Sequence, residues 1–243
     1  MDTIKMPRRG AKLVAHRGLS GLETENTCAA FVAAGNRDYF GIETDVYHTA
    51  DGHYILIHDN VTGRVATEDL PVESSTLAQL RALSLKDRGG EVRGDLQLPV
   101  PEEYFRICSR YNKVCVLELK GVFEKEHVQE LLALVERYYD KKQLIFISFW
   151  YDNLCRAREL DDTLSLQFLS GELSDEQLQD MAARRIDVDV HYGFLTAENI
   201  ARMHELGLVV NCWTCDDPQT AATLCDWGVD YITTNILQYT DEV

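Results

Sequence analysis

The chain has 243 residues, with 24 Lys+Arg against 40 Asp+Glu and a formal net charge of −16. So negative a surface repels polyanions, which disfavours nucleic-acid binding and docking on anionic membranes. It still admits a small anion wherever a metal ion or an arginine reverses the local field. The opening MDTIKMPRRGAKLVAHRG has no apolar signal core, no run approaches a membrane span, and the seven cysteines are odd in number. The expectation is a cytoplasmic protein with reduced thiols and no stable membrane anchoring.

Taken in order, short apolar runs alternate with amphipathic ones. KLVAH (12–16) has the composition of a buried strand. NTCAAFVAAGN (26–36) reads as a helix with Asn26 as its cap. FGIETDVY (40–47) is a second strand. Thr49–Gly52 is a turn signal, which predicts that 42–47 and 54–58 pair as a hairpin. Residues 60–99 are rich in turns and charge. They read as an insertion on a βα loop, too short for a domain of their own. KVCVLELK (113–120) is a third strand, and HVQELLALVERYYD has helical periodicity. Strand then helix recurs in LIFISF and YDNLCRARELD, then in LSLQFLS and SDEQLQDMAARR, where Ser174 makes a capped start. It recurs again in DVDVHY and TAENIARMHELG, and in VVNCWT and DPQTAATLCDWG. Gly207 and Gly228 stand where those last two helices must stop. YITTNI closes the series.

Eight strands alternating with helices predict a parallel sheet. The chain length suits an α/β (β/α)8 TIM barrel, as one domain over 1–243 carrying 60–99 as a loop. A doubly wound open sheet is the main rival, but no Gly-rich phosphate fingerprint follows the first strand.

Glu43 and Asp45 are two apart on the second strand, hence on one face. Two carboxylates side by side repel unless a cation or a shared proton intervenes, and a hard divalent cation resolves the conflict. Solvated carboxylates are the bland alternative. The hairpin tips the balance, because it returns His58 to the neighbourhood of Asp45. There it has the chemistry of an acid or base near neutral pH. His16 and Arg17 end the first strand, and Glu118 and Lys120 end the third. Strand C-termini converge on the mouth of a barrel, so Glu118 is a third carboxylate candidate; Arg17 offers a planar fork suited to a phosphate, and Lys120 would balance the charge of cation site and substrate.

The ordered set HRG, ENTCAAF, IE-x-DV, T-x-DG and HD resembles the signature of the glycerophosphodiester phosphodiesterases, with LELK, ISF and WT extending the likeness along the chain. The resemblance implies a barrel enzyme that splits glycerophosphodiesters into glycerol 3-phosphate and an alcohol. It implies one divalent cation, Ca²⁺ or Mg²⁺, on Glu43, Asp45 and Glu118. It also implies acid–base work by His16 and His58, phosphate contacts from Arg17 and Lys120, and Trp213 against the glycerol or alcohol moiety. The attacker is water, or the substrate's own glycerol hydroxyl to give a cyclic phosphate first; His16 is read as base and His58 as acid. Thr24 stands where the family usually has Pro, and Asn235 where it often has Asp. Phospholipase D-type cleavage of lysophospholipids or sphingolipids and a non-catalytic phosphodiester-binding role are the alternatives. Cys212 and Cys215 form a C-x-x-C along a strand, where positions three apart face opposite sides; they read as buried thiols. His48 and His53 flank the hairpin turn and His191 ends the sixth strand, none with a strong claim to chemistry.

Overall fold

The computed structural model describes residues 2–240. Eight parallel strands among these residues close into a barrel: β1 Lys12–Ala15, β2 Gly41–His48, β3 Val114–Leu119, β4 Leu144–Ser148, β5 Ser165–Ser170, β6 Asp187–His191, β7 Val210–Trp213 and β8 Tyr231–Thr234. β8 closes onto β1 in the register Tyr231 to Lys12 through Thr234 to Ala15, and β1 pairs β2 through Val14 and Gly41. A strand in this setting is covered on both faces, so its residues are apolar nearly without break; every residue of LIFIS in β4 is buried. Polar residues on such strands therefore stand out as exceptions with a purpose.

The helices are α1 Cys28–Gly35, α2 Leu77–Arg81, α3 Pro101–Tyr111, α4 Lys125–Tyr138, α5 Tyr151–Leu160, α6 Asp175–Arg184, α7 Ala197–Glu205 and α8 Pro218–Asp226. All but α2 are the helices that follow strands β1 to β7. After β8 the chain instead forms Leu237–Tyr239, which pairs in parallel with Ile4–Met6. The caps explain the boundaries. Ser174 and Gln177 form a reciprocal capping box at the start of α6. Gly207 and Gly228 take positive φ just past α7 and α8, where an L side chain would be strained.

One boundary differs from the sequence reading. Thr27, not Asn26, caps α1, its side chain accepting from the Ala30 amide. Asn26 has φ +51, incompatible with the extended backbone of a cap, and its side chain is engaged elsewhere. Cys215 also lies beyond the end of β7 rather than on it; it and Cys212 are both buried, and all seven cysteines are free thiols.

β2 continues past the barrel rim and pairs antiparallel with Tyr54–Leu56, so the predicted hairpin is present. The hairpin face that carries Tyr47, Ile55 and Ile57 is covered by residues 60–99. That stretch holds a short 3-10 turn at Val72–Ser74, α2, and a two-stranded ribbon of Leu85–Lys86 with Val92–Arg93. Val72, Leu80, Leu85 and Leu98 pack on Tyr47, Ile55 and Ile57 as a satellite apolar cluster. The loop therefore buries its apolar residues on one another and on the hairpin together, which gives so short a segment a small core of its own to close on. Inside the barrel, Val14, Val116, Ile145, Ile147 and Leu169 pack together. Polar Asn211 joins them, donating to Gln167 at 3.2 Å and accepting from Thr233 at 3.3 Å. No helix among the described residues is long and apolar enough to cross a membrane.

Candidate active site

The turn after β1 is built to bring backbone donors to a carboxylate. Arg17 adopts φ +54 and Gly18 φ +73. A Cβ on Gly18 would lie 2.7 Å from Ala30, so glycine is required there both by conformation and by close approach. In this turn the Arg17 amide donates to Glu43 Oε2 at 2.7 Å and the Gly18 amide to the Glu43 carbonyl at 3.0 Å. The Arg17 side chain folds back, giving one NH to Glu25 at 2.9 Å, with its Nε 3.7 Å from Asp45.

Glu43 and Asp45 point inward from β2, and Asp45 is in direct register with Glu118 on β3. Oxygens of all three carboxylates lie within 4.8 Å of one another, and all three residues are buried. Lys120 sits 3.0 Å from Glu118 and 3.5 Å from Asp45. Asn26 clamps the middle carboxylate: it donates to Asp45 Oδ2 at 2.8 Å while accepting from Thr44 at 2.6 Å. Two carboxylate oxygens, Asp45 Oδ1 and Glu118 Oε1, are buried and have no well-formed hydrogen bond, only the Lys120 ammonium at 3.5 and 3.0 Å. Three buried carboxylates facing a single ammonium are under-neutralised, and an all-oxygen donor set of this kind suits a hard divalent cation. The residues present therefore fit a metal ion. In the protein without one, burial pushes Glu118 up to about 8, helped by Asp45. Burial, then Asp45 and Glu118, pushes Glu43 well up. Asp45 goes down, because Lys120 and Arg17 together outweigh its burial. Three like charges in so small a space cannot all ionise unaided.

The two histidines reach the neighbourhood of Asp45 from different elements. His16 is at the end of β1, with Nδ1 2.8 Å from Asn235 Oδ1. Burial, reinforced by Arg17, lowers its pKa to about 4, so the ring is neutral at physiological pH. His58 follows the hairpin, with Nδ1 2.6 Å from Asp59. Burial lowers its pKa too, against the pull of Asp45. Trp213 ends β7, half-buried. Its indole N–H donates to the Asp189 carbonyl at 3.2 Å, and its ring meets Phe149 and His191 edge-on. All eight sequence-derived residues thus lie around the C-terminal face of the barrel or just inside it, as the strand-end argument expects.

A sequence profile described as the glycerophosphoryl diester phosphodiesterase family matches residues 16–238. The chain belongs to that family. It is similar to a glycerophosphodiester phosphodiesterase of Caldanaerobacter subterraneus subsp. tengcongensis, at 27% identity over 227 residues, covering 92% of this chain and 93% of the relative. Among solved structures, a Parabacteroides distasonis glycerophosphodiester phosphodiesterase is 28% identical with a TM-score of 0.78, covering 94% of each chain. An Oleispira antarctica phosphodiesterase in complex with the product sn-glycerol-3-phosphate superposes with a TM-score of 0.85 at 23% identity, covering 95% of this chain and 93% of that one. The protein is an enzyme, a phosphodiester hydrolase, and its substrate is a small molecule.

Several groups at this site escape a reading by motif. Arg64, from the insertion, donates to Asp59 at 2.5 Å and to both oxygens of Glu25 at 2.6 and 2.8 Å. It therefore braces the partner of His58 and the partner of Arg17 at once. In sequence it is one more arginine in a polar loop, and only the fold brings it 39 positions back to Glu25. Asn26 is a clamp where the sequence suggests a cap. Of the other histidines, His53 is exposed, His48 pairs with Glu73 at 3.1 Å, and His191 is exposed and stacks on Tyr192.

The raised carboxylates make a testable link between pH and stability. Between the unfolded Glu value of 4.5 and about 8, the folded cation-free protein holds protons on Glu118 and Glu43 that the unfolded chain has lost, so stability falls as pH rises. Asp189, pushed up by burial in the barrel, adds the same sign. His16 and His58, both lowered, add the opposite sign, but only below their ordinary value of 6.5. The clean window is therefore about pH 6.5 to 8. In chelator, Tm is expected to fall across that window, and Glu118→Gln to flatten the fall. A Tm that rises or stays level there would contradict the protonated state of this carboxylate cluster.

Proposed function

We propose that the chain hydrolyses glycerophosphodiesters to glycerol 3-phosphate and an alcohol, in a reaction dependent on one divalent cation held by Glu43, Asp45 and Glu118. The observation that carries this is the buried trio of carboxylates within 4.8 Å of one another, with Arg17, Lys120, His16 and His58 around it. Bound there, Ca²⁺ or Mg²⁺ would supply fixed positive charge against a phosphate oxygen. Arg17 and Lys120 flank the same place; each is already held by carboxylates, so each is pre-positioned rather than swinging in from solvent. His16, neutral and with Nδ1 occupied by Asn235, accepts the proton of the attacking hydroxyl on Nε2. His58, whose Nδ1–H is held by Asp59, acts as the imidazolium: it gives its Nε2 proton to the departing alkoxide and is reprotonated from solvent, with Asp59 and Asp45 beside it to favour the charged ring. Trp213 and Phe149 form an aromatic wall beside them for the glycerol or alcohol moiety.

A second reading, cleavage of lysophospholipids in the phospholipase D manner, draws support from one observation. Val122, Phe149 and Trp150, on the loops that leave β3 and β4 at the same face, are exposed large apolar residues. An acyl chain would cover them. A substrate panel separates the two. With glycerophosphocholine, glycerophosphoglycerol and lysophosphatidylcholine assayed side by side, release of glycerol 3-phosphate from the first two is the expected result. Choline release without glycerol 3-phosphate, or turnover of the lysolipid alone, would reject the first reading.

A further inference from the structure

His16 is reached from two other strand ends. Asn235, just past β8, places Oδ1 2.8 Å from His16 Nδ1 and 2.8 Å from Ser20 Oγ. Behind it lies Asp216, in the loop after β7. Asp216 Oδ2 accepts from Asn235 Nδ2 at 2.6 Å, while its Oδ1 accepts from the Asn235 backbone amide at 2.7 Å and from Thr234 Oγ1 at 2.8 Å.

These contacts decide the protons along the chain. A carboxylate only accepts, so the amino end of the Asn235 amide must face Asp216 and its carbonyl end must face the imidazole. That carbonyl also only accepts, so His16 Nδ1 carries hydrogen and Nε2 keeps its lone pair. Ser20, a second donor to the same oxygen, agrees with this orientation.

We propose that Asp216 is a positioning residue of this enzyme: acting through Asn235, it locks His16 in the tautomer whose Nε2 is free to take a proton. The proposal rests on the reading of His16 as the general base. A neutral amide between ring and carboxylate transmits orientation without placing a full negative charge on the imidazole.

The consequence of Asp216→Asn follows from the donors that cannot turn. The Asn235 backbone N–H is fixed, so the introduced amide keeps its carbonyl there and presents its amino group to the Asn235 side chain. Asn235 must then turn its carbonyl toward that amino group and its own amino group toward His16. The ring is driven to carry its hydrogen on Nε2, where a base cannot use it. The double variant Asn235→Asp with Asp216→Asn restores an acceptor in front of His16 and a donor behind it, and with them the original tautomer.

The test uses the full chain with saturating Mg²⁺ or Ca²⁺ and glycerophosphocholine as probe, with His16→Ala as reference. D216N is expected to lower kcat roughly ten- to hundredfold, the range seen when an outer orienting partner is lost, with KM little changed. The double variant is expected to recover most of that loss. Nitrogen-15 correlation spectra should show His16 as the Nδ1–H form in the parent and the double variant, and as the Nε2–H form in D216N. A D216N enzyme with parental kcat beside an inactive His16→Ala would overturn the positioning role alone. So would an unchanged His16 tautomer in D216N, or a folded double variant no better than D216N. Full activity in His16→Ala would instead overturn the base reading.

Discussion

His58→Ala is expected to lower kcat by about two orders of magnitude or more while leaving the fold intact, and His16→Ala to do the same. The fold should survive because neither ring belongs to the apolar clusters, and the His58 side chain is about a third exposed. The loss should be large because each ring has one nitrogen already committed, to Asp59 and to Asn235, leaving the other for proton transfer. Asp59→Asn should cost less than His58→Ala, since it removes the support and not the group. Steady-state kinetics beside circular dichroism checks the set. Parental kcat in either histidine variant would remove that residue from the mechanism.

Removing the cation is the second large effect. Activity in excess chelator is expected to fall to background and to return with Mg²⁺ or Ca²⁺. Asp45→Asn should abolish most of that recovery, because Asp45 is the hub of the cluster. Its Oδ2 meets Asn26 and approaches Arg17, and its Oδ1 has only the Lys120 ammonium at 3.5 Å. Asn26→Ala removes only the clamp and should cost roughly ten- to hundredfold, less than Asp45→Asn. The direct readout is the cation-induced rise in Tm. It should be present in the parent and lost in Asp45→Asn. Activity indifferent to exhaustive chelation would sink the cation requirement, whatever the geometry of the carboxylates.

Much of the barrel is legible in the order of the amino acids. The strands are mostly apolar runs because both faces are covered, and the caps at Ser174, Gly207 and Gly228 announce the helices between. The carboxylates are legible for the opposite reason. Glu43, Asp45 and Glu118 interrupt runs that should be apolar, and the period of a strand says which of them share a face. What hides from sequence is the arrangement between strand ends. Asn235 bonds His16 across 219 positions, and Asn26 bonds Asp45 from an unusual backbone conformation that no local pattern declares. Such partners are ordinary polar residues in ordinary loops. Their significance comes from closure of the barrel, which makes the ends of β1, β7 and β8 neighbours.

The loop over residues 60–99 has a bearing on how this enzyme can be altered. On one side it is packed by Leu and Val onto Tyr47, Ile55 and Ile57, the face of the hairpin on which Asp45 also lies; on the other it delivers Arg64 to Asp59 and Glu25. A graft that swaps this segment for a relative's, in search of a new leaving group, would take away the brace of both a histidine's partner and an arginine's. Loop and chemistry are in this sense a single heritable unit, and a successful transplant has to carry an arginine at the position of Arg64.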